Sequence, residues 1–260
     1  MADEVPQFKF DINFENHPIS QFLEKNLDKN LEKDTLINYS NVYRYMQNNL
    51  EKDHLLFYNG FCRHLNSIYT QNYYLFCNSY PIANITQDQR EFIKSKIQPN
   101  NELVIAVNKT IKDLKLKIVD GQPYFYTIHI RTGDKFLLQN NKLSPEVATR
   151  IAAQIQKYVV SSRTYLVLSD NSDLKAVLVN MFPNFKAHFK DITHLGESIN
   201  PPEESVKNTL TDFFLMSKSK SILSFSVYPH GTSFSEWCAE MYNIPYHCIQ
   251  LDVFKKTWSL

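Results

Sequence analysis

In the second half of the chain, short apolar runs alternate with segments in which apolar residues recur every three or four positions. Short apolar runs predict buried strands at YFYTIHI (residues 124–130), TYLVLSD (164–170), FKAHFKDI (185–192) and KSILSFSVY (220–228). The intervening segments SPEVATRIAAQIQKYVVSS, NSDLKAVLVNMF, SVKNTLTDFFLMSKS and SFSEWCAEMYN place apolar residues three and four positions apart, which is typical of amphipathic helices. Strands that alternate with helices predict an α/β fold, with a parallel sheet covered by helices on both faces.

The ends of these helices carry recognisable signals. Ser144 is predicted to cap the first helix, with Pro145 at its first helical position. Ser205 is predicted to cap the helix SVKNTLTDFFLMSKS. In NSDLKAVLVNMF the apolar residues Leu174, Val177 and Leu178 share one face.

The first half of the chain is less regular. Residues 19–53 are polar and favour helix, HLLFYNGF predicts a strand that ends at Gly60, and RHLNSIYTQNYYLF predicts a helix. NELVIAVN predicts another strand, and LKLKIVDGQPYFYTIHI predicts two more.

Composition excludes several classes of partner. The 260 residues include 28 Lys and Arg against 27 Asp and Glu, so a formal charge of +1 gives no global attraction to nucleic acid or to an anionic membrane. The N-terminal sequence lacks the pattern of a signal peptide, and no apolar run reaches the ~20 residues that span a bilayer. The four cysteines lack metal-binding spacing and are predicted to be reduced thiols in the core. We therefore expect a cytoplasmic protein without a membrane span.

Polar residues follow three predicted strands, in HIRTGD, SDNSD and SFSVYPHGTSFS. Ligands of doubly wound sheets bind where strands end in this way. Arg131 offers a charged planar fork for phosphate, Gly133 allows close backbone approach, and His129 shares the strand face of Arg131. The alternative is a surface ion pair between Arg131 and Asp134. Asp170 is a candidate acceptor for a sugar hydroxyl, or alternatively a helix N-cap.

Competing motifs are absent from the sequence. It contains no G-x-x-x-x-G-K-[ST], no G-x-G-x-x-G, no G-x-S-x-G nucleophile elbow and no HExxH or comparable metal-binding spacing. Phosphate charge, if present, must then be met by Arg131, Lys135, helix N-termini and hydroxyl groups.

Three motifs in order resemble those of the fucosyltransferase superfamily that includes α-1,2-, α-1,6- and protein O-fucosyltransferases. HIRTGD resembles the first motif, H-x-R-x-x-D, and YLVLSDNSDLK resembles the second, a strand that ends in S/T-D-D or S-D-N. LTDFFLMSKSKSILSFS followed by TSFSEWCAEM resembles the third region, and the resemblance covers residues 124–248. More weakly, FYNGFCRHLNSIYTQ resembles the acceptor-side loop G-x-x-x-N-Q: Gly60, Arg63 and Asn66 are present, whereas the glycine pair and the Gln are not.

The resemblance implies a GT-B-like glycosyltransferase with two Rossmann-like lobes and mostly parallel sheets, an acceptor-side lobe over residues 1–122 and a nucleotide-sugar lobe over residues 123–260. It implies an inverting, metal-independent enzyme without a cofactor, whose donor is GDP-fucose and whose acceptor is a glycan hydroxyl. Matching positions imply that Arg131 binds the β-phosphate and that His129 lines the nucleotide pocket. Asp212 matches the residue that contacts guanine, or is simply a polar residue early in its helix. The nucleotide-binding positions implied are His129, Arg131, Gly133, Ser169, Asp170, Asp212, Ser233, Phe234 and Ser235.

Four questions stay open at the level of the sequence. The catalytic base could be Asp134, which could equally orient Arg131, while His230 and Glu236 are further candidates. The donor could be another nucleotide sugar, such as UDP-xylose, since the segment KFLLQNN lacks the carboxylate that α-1,6-type enzymes carry after the first motif. A non-catalytic nucleotide- or glycan-binding module is the alternative to an enzyme. Ser233 and Ser235 could instead only cap the last helix.

Overall fold

A computed structural model describes residues 35–38, 73–76, 86–133, 142–193, 201–228 and 231–252. The chain divides into two compact units, one of residues 1–15 and 25–89 and the other of residues 16–24 and 90–260. The predicted lobe boundary between residues 122 and 123 stays a prediction. No helix in the described part of the chain is both long and apolar enough to cross a membrane.

In the first unit, strands β1 (Thr35–Asn38) and β2 (Tyr73–Phe76) pair in parallel. Both strands lie in segments for which the sequence predicts helix, so those two predictions are wrong over these residues. The predicted strand HLLFYNGF lies outside the described residues.

The remaining elements run from residue 87 to residue 250. They are helix α1 (Gln87–Lys96), helix α2 (Asn101–Asp113), the two-residue strands β3 (Ile118–Val119) and β4 (Gln122–Pro123), strand β5 (Phe125–Arg131), helix α3 (Pro145–Gln156), strand β6 (Thr164–Ser169), helix α4 (Ser172–Met181), strand β7 (Phe185–Ala187), helix α5 (Glu203–Met216), strand β8 (Ile222–Ser226), helix α6 (Ser233–Tyr242) and strand β9 (Tyr246–Gln250).

Five of these strands form one parallel sheet in the order β7-β6-β5-β8-β9. The chain builds outward from β5 to β7 and then returns to place β8 on the other side of β5. This reversal makes the gap between β5 and β8 the topological switch point, where doubly wound sheets bind ligands. The predicted α/β class with mostly parallel sheets is confirmed, and β3 with β4 is a small antiparallel exception.

Apolar residues cover both faces of the sheet. On one face, helices α2, α5 and α6 contribute Leu103, Val107, Leu210, Phe214 and Met241. On the other face, helices α3 and α4 contribute Ile151, Ile155, Leu174 and Leu178. Central strand β5 is buried by both layers, because Phe125 packs in the first cluster and Ile128 and Ile130 pack in the second. Its end is therefore held in a fixed position.

The segment NELVIAVN forms the start of helix α2, so the strand prediction there is wrong. The side chain of Asn100 accepts a hydrogen bond from the Leu103 backbone N–H and caps the helix. Leu103 and Val107 are four residues apart and buried, and Ile111 packs against the same cluster. The 3.6-residue period overrides the strand preference of the β-branched residues.

Other predictions at element ends have mixed outcomes. Ser144 caps α3 as predicted, with its Oγ accepting from the Val147 N–H, and Pro145 begins the helix. Helix α5 begins at Glu203 after Pro202, so Ser205 is its third residue and the predicted cap is wrong. Strand β9 was not predicted. It carries Cys248, which is exposed, whereas Cys238 is buried as predicted for a core thiol.

Candidate functional site

The carboxyl ends of β5, β6, β7 and β8 gather most of the polar residues that the sequence singles out. Arg131 ends β5, Ser169 ends β6 and Ser226 ends β8, and the register places Arg131 opposite Ser226. The next residues of the chain form loops at the same edge of the sheet. This edge is the candidate site.

Asp170 is the centre of a hydrogen-bonded group that we call the Asp170 cluster, formed with Arg131, Thr132 and Gly133. Its carboxylate accepts from the Thr132 N–H at 2.9 Å, the Thr132 hydroxyl at 2.6 Å, the Gly133 N–H at 3.2 Å and Arg131 Nη1 at 3.2 Å. The Asp170 side chain is 3% exposed. Its acceptor capacity is thus directed to the turn after β5, and its role here is to hold that turn and the Arg131 guanidinium in place.

The N-cap role that the sequence offered as the alternative for Asp170 is wrong. The N-cap of α4 is Asn171, whose side chain accepts from the Leu174 N–H at 2.8 Å. Burial raises the pKa of Asp170, while the hydrogen bond from the Thr132 hydroxyl and the charge of Arg131 act to lower it. Because the pKa of Asp170 is raised in the fold, its ionisation lowers the stability of the folded state as the pH rises through that pKa. The hydrogen-bond donors of the cluster offset part of this loss.

Gly133 meets a steric demand of the fold. Its φ is +111°, and a Cβ added to it would lie 3.3 Å from Val227 Cγ2. The loop after β5 and the loop after β8 therefore come together at this residue, which favours glycine for both its backbone angle and its lack of a side chain. Ser169 is buried, and its hydroxyl accepts from the Asn171 N–H at 3.2 Å.

His129 lies under the same edge of the sheet and is 8% exposed. Its ring centroid is 5.6 Å from that of Phe234, in the first turn of α6. Nδ1 of His129 is buried and has no hydrogen-bond partner among the described residues. Burial, with a smaller contribution from the Arg131 charge, lowers the pKa of His129 to about 3. The ring is therefore neutral at physiological pH and can offer a ligand one donor and one acceptor nitrogen.

We expect His129 to stay neutral between pH 5 and pH 8. Since its pKa is lowered in the fold from 6.5 to about 3, the unfolded chain binds the extra proton first, and stability falls as the pH drops from about 6.5. For one proton the limiting slope is about 1.4 kcal/mol per pH unit. Histidine-selective NMR titration measures the ring directly. A His129 resonance that titrates near pH 6.5 would contradict this expectation.

The two serines of the predicted serine-rich turn, Ser233 and Ser235, differ in exposure. Ser233 is exposed as the first residue of α6, and the helix cap Thr232 makes no side-chain capping bond. Ser235 is buried and donates to Ser224 Oγ at 3.1 Å, which directs its hydroxyl toward β8. The N-terminal N–H groups of α6, rather than the Ser235 hydroxyl, are the groups suited to an anion.

Asp212 belongs to a second buried group, which we call the Asp212 cluster, formed with His188 and Lys175. Asp212 Oδ1 lies 2.7 Å from His188 Nδ1, just past the end of β7. Lys175 is 1% exposed and donates from Nζ to the His188 carbonyl oxygen at 2.8 Å. Burial lowers the pKa of Lys175, and the charges of Asp212, Asp170 and Asp191 raise it in part. Lys175 thus links the Asp170 and Asp212 clusters electrostatically.

Sequence reasoning missed Thr132, Lys175 and His188. Thr132 directly follows Arg131, and His188 lies in the predicted strand FKAHFKDI. Position at a strand end was therefore a usable signal for both residues. Lys175 had no such signal, because a lysine next to the apolar Leu174 on a helix is typical of a solvated position. The predicted residues Asp134, Gly60, Arg63 and Asn66 lie outside the described residues, as does His230.

The Arg131 guanidinium, which is 13% exposed, is a group at the described edge that is suited to an anion. Asp170 and Asp212 are two buried carboxylates that are both hydrogen-bonded. Neither of these carboxylates is placed to take a proton from an attacking hydroxyl. Glu236 in α6 is half-buried, and burial raises its pKa with a smaller contribution from the charge of Glu240.

No protein-family model matches the sequence, and no characterised protein matches it by sequence. The chain is similar to the solved structure of NodZ α-1,6-fucosyltransferase soaked with GDP-fucose, with 13% identity and a TM-score of 0.45, over 83% of this chain and 68% of that one. NodZ from Bradyrhizobium gives 10% identity and a TM-score of 0.42 over 77% of this chain and 64% of that one. POFUT1 in complex with GDP gives 13% identity and a TM-score of 0.39 over 72% and 58%.

Proposed function

We propose that the protein is a glycosyltransferase that binds a nucleotide sugar at the carboxyl edge of the five-stranded sheet and transfers the sugar to a glycan hydroxyl. The observation that carries this proposal is the Asp170 cluster, which fixes Arg131 at the switch point between β5 and β8. The Arg131 side chain is 13% exposed, so part of it faces the edge where a ligand can reach it. GDP-fucose is the proposed donor because the three sequence motifs resemble those of fucosyltransferases.

The proposed reaction is a single displacement with inversion and without a metal ion. The acceptor oxygen forms a bond to the anomeric carbon while the bond from that carbon to the β-phosphate oxygen breaks, and the acceptor proton passes to a base. Negative charge grows on the departing diphosphate. Arg131, the N-terminal N–H groups of α6 and the hydroxyl of Ser233 are the groups proposed to stabilise that charge. Because Asp170 orients the guanidinium before the donor binds, little reorganisation is needed during transfer.

The remaining roles are assigned by position. The neutral His129 ring, whose buried Nδ1 has no partner among the described residues, is proposed to hydrogen-bond the donor beside Phe234. Asp212, whose Oδ1 is bonded to His188, is proposed to accept from N–H groups of the base through its other oxygen, Oδ2. The acceptor proton is proposed to go to Asp134, with Glu236 as the alternative, because Asp170 and Asp212 are buried and occupied.

A non-catalytic nucleotide-binding module is the second candidate. The specific observation in its favour is that both buried carboxylates at the described edge are engaged in internal hydrogen bonds, which leaves neither free as a base. Within the enzyme proposal, the alternative donor is another nucleotide sugar, such as UDP-xylose.

A panel of nucleotides separates these possibilities. We expect GDP and GDP-fucose at about 100 times their dissociation constant to stabilise the protein by ~2.7 kcal/mol, which corresponds to a rise in Tm of roughly 5–10 °C for a chain of this size. UDP and UDP-sugars are the matched comparison. Thermal shift measures binding, and GDP release from GDP-fucose measures turnover. Stabilisation by GDP without turnover on any acceptor would favour the binding module. Stabilisation by UDP alone would indicate a UDP-sugar as the donor.

A further inference from the structure

Phe189 is an exposed aromatic residue at the edge of the sheet that holds the candidate site. It comes two residues after Ala187, the last residue of β7, and its side chain is 51% exposed. Among the described strands of the five-stranded sheet, the residues that follow β5, β6, β8 and β9 are polar, half-buried or buried. Phe189 therefore presents the one large, exposed apolar surface at these described strand ends.

The backbone beneath Phe189 is firmly held. Lys175 donates to the carbonyl oxygen of His188, and the His188 ring pairs with Asp212, so the preceding residue is fixed on two sides. The Lys175 Nζ lies 5.9 Å from the Phe189 ring centroid, within the range of a cation–π contact. An exposed ring on a fixed backbone loses little conformational freedom when a flat ligand covers it.

Phe189 and Arg131 lie at the same edge of the sheet, two strands apart. Ile128 of β5 pairs with Val167 of β6, and Val167 pairs with Ala187 of β7, so Ala187 is level with Ile128 and about 10 Å across the sheet from it. Arg131 lies three residues beyond Ile128, and Phe189 lies two residues beyond Ala187. The separation across the sheet is comparable to the reach from the base to the β-phosphate of a nucleoside diphosphate.

We propose that Phe189 is the stacking surface for the nucleobase of the bound nucleoside diphosphate. This inference rests on the proposed function, since it takes the phosphate end of the ligand to lie at Arg131. Aromatic rings stack on the face of any base, and the neighbouring Asp212 carboxylate offers an acceptor to a base edge that carries N–H donors. Covering the ring also removes apolar surface from water. Phe189 is then a residue that sets nucleotide affinity and does not touch the reacting bonds.

Three substitutions of Phe189 test the stacking role. Calorimetric titration with GDP is expected to show ~5-fold to ~100-fold weaker binding to Phe189→Ala than to the wild type. Phe189→Leu keeps an apolar side chain without a π face and is expected to bind nearly as weakly as Phe189→Ala, whereas Phe189→Tyr is expected to bind within about 2-fold of the wild type. Phe92→Ala is the matched control, because Phe92 is an exposed phenylalanine on α1, and it should leave GDP affinity unchanged.

The outcomes separate this inference from the proposed function. If the wild type binds GDP and Phe189→Ala binds it equally well, stacking on Phe189 is wrong while nucleotide binding stands. If Phe189→Leu retains full affinity, the contact is apolar packing and not stacking, which also overturns the inference. If the wild type binds none of GDP, UDP, ADP and CDP, the proposed function and this inference fail together. Thermal unfolding of each variant confirms that it is folded.

Discussion

Replacement of Arg131 by alanine is expected to lower the turnover of sugar transfer by ~10²–10³, because it removes a preorganised donor from the position where charge develops on the leaving diphosphate. Arg131→Lys is expected to be almost as inactive. Lysine keeps the charge, but it cannot reproduce the planar fork that contacts Asp170 on one side and phosphate oxygens on another. GDP release from GDP-fucose, measured under saturating donor, gives turnover directly.

The matched control for Arg131 is Arg150→Ala. Arg150 pairs with Glu146 on the exposed surface of α3, so its loss should leave turnover near that of the wild type. Near-UV circular dichroism checks that each Arg131 variant keeps its fold. Turnover within about 3-fold of the wild type in either Arg131 variant would remove Arg131 from the mechanism, since one lost donor costs far more than that.

Replacement of Asp170 by alanine is expected to lower the free energy of unfolding by roughly 3 kcal/mol. The Thr132 N–H, the Gly133 N–H and the Arg131 guanidinium would each lose their acceptor inside the fold. Urea denaturation at pH 7 measures this loss. Asp173→Ala is the control, because Asp173 is an exposed acidic residue in the first turn of α4, where its loss costs less than about 1 kcal/mol.

Asp170→Asn separates the structural role of Asp170 from its effect on Arg131. The amide keeps the volume and one acceptor oxygen, but its NH₂ group turns a donor toward donors of the cluster. We expect this variant to stay folded and to lose ~10-fold or more in turnover because Arg131 is no longer held. An Asp170→Asn variant with wild-type stability and wild-type turnover would show that the cluster does not orient Arg131.

The elements that could be predicted from the sequence are those with one dominant signal. Strands β5, β6 and β8 are continuous apolar runs, and α3 combines a serine cap, a proline at its first position and a regular apolar face. The strand prediction for residues 101–108 failed because their β-branched side chains favour a strand, whereas burial of Leu103 and Val107 on one face selects a helix. Strand β9 was not predicted because its residues, YHCIQ, are half-buried or exposed and show no clear alternation.

The candidate site was predictable in position, whereas the pairing of Arg131 with Asp170 was not predicted. Arg131 and Asp170 were singled out because both follow strands, and the sequence offered Asp134, which lies outside the described residues, as the alternative partner of Arg131. The pair forms between neighbouring strands whose register a single sequence does not reveal. Lys175 and His188 were missed for the same reason, since their role depends on Asp212 from a distant helix. Local signals locate strand ends, and the topology decides which of them meet.

A crystal structure of the protein with bound GDP tests the central proposal most directly. We expect a β-phosphate oxygen within ~3 Å of an Arg131 guanidinium nitrogen, at the carboxyl ends of β5 and β8, with Asp170 still bonded to the turn after β5. GDP bound with its phosphates away from these strand ends, or with Arg131 out of reach of them, would contradict the account.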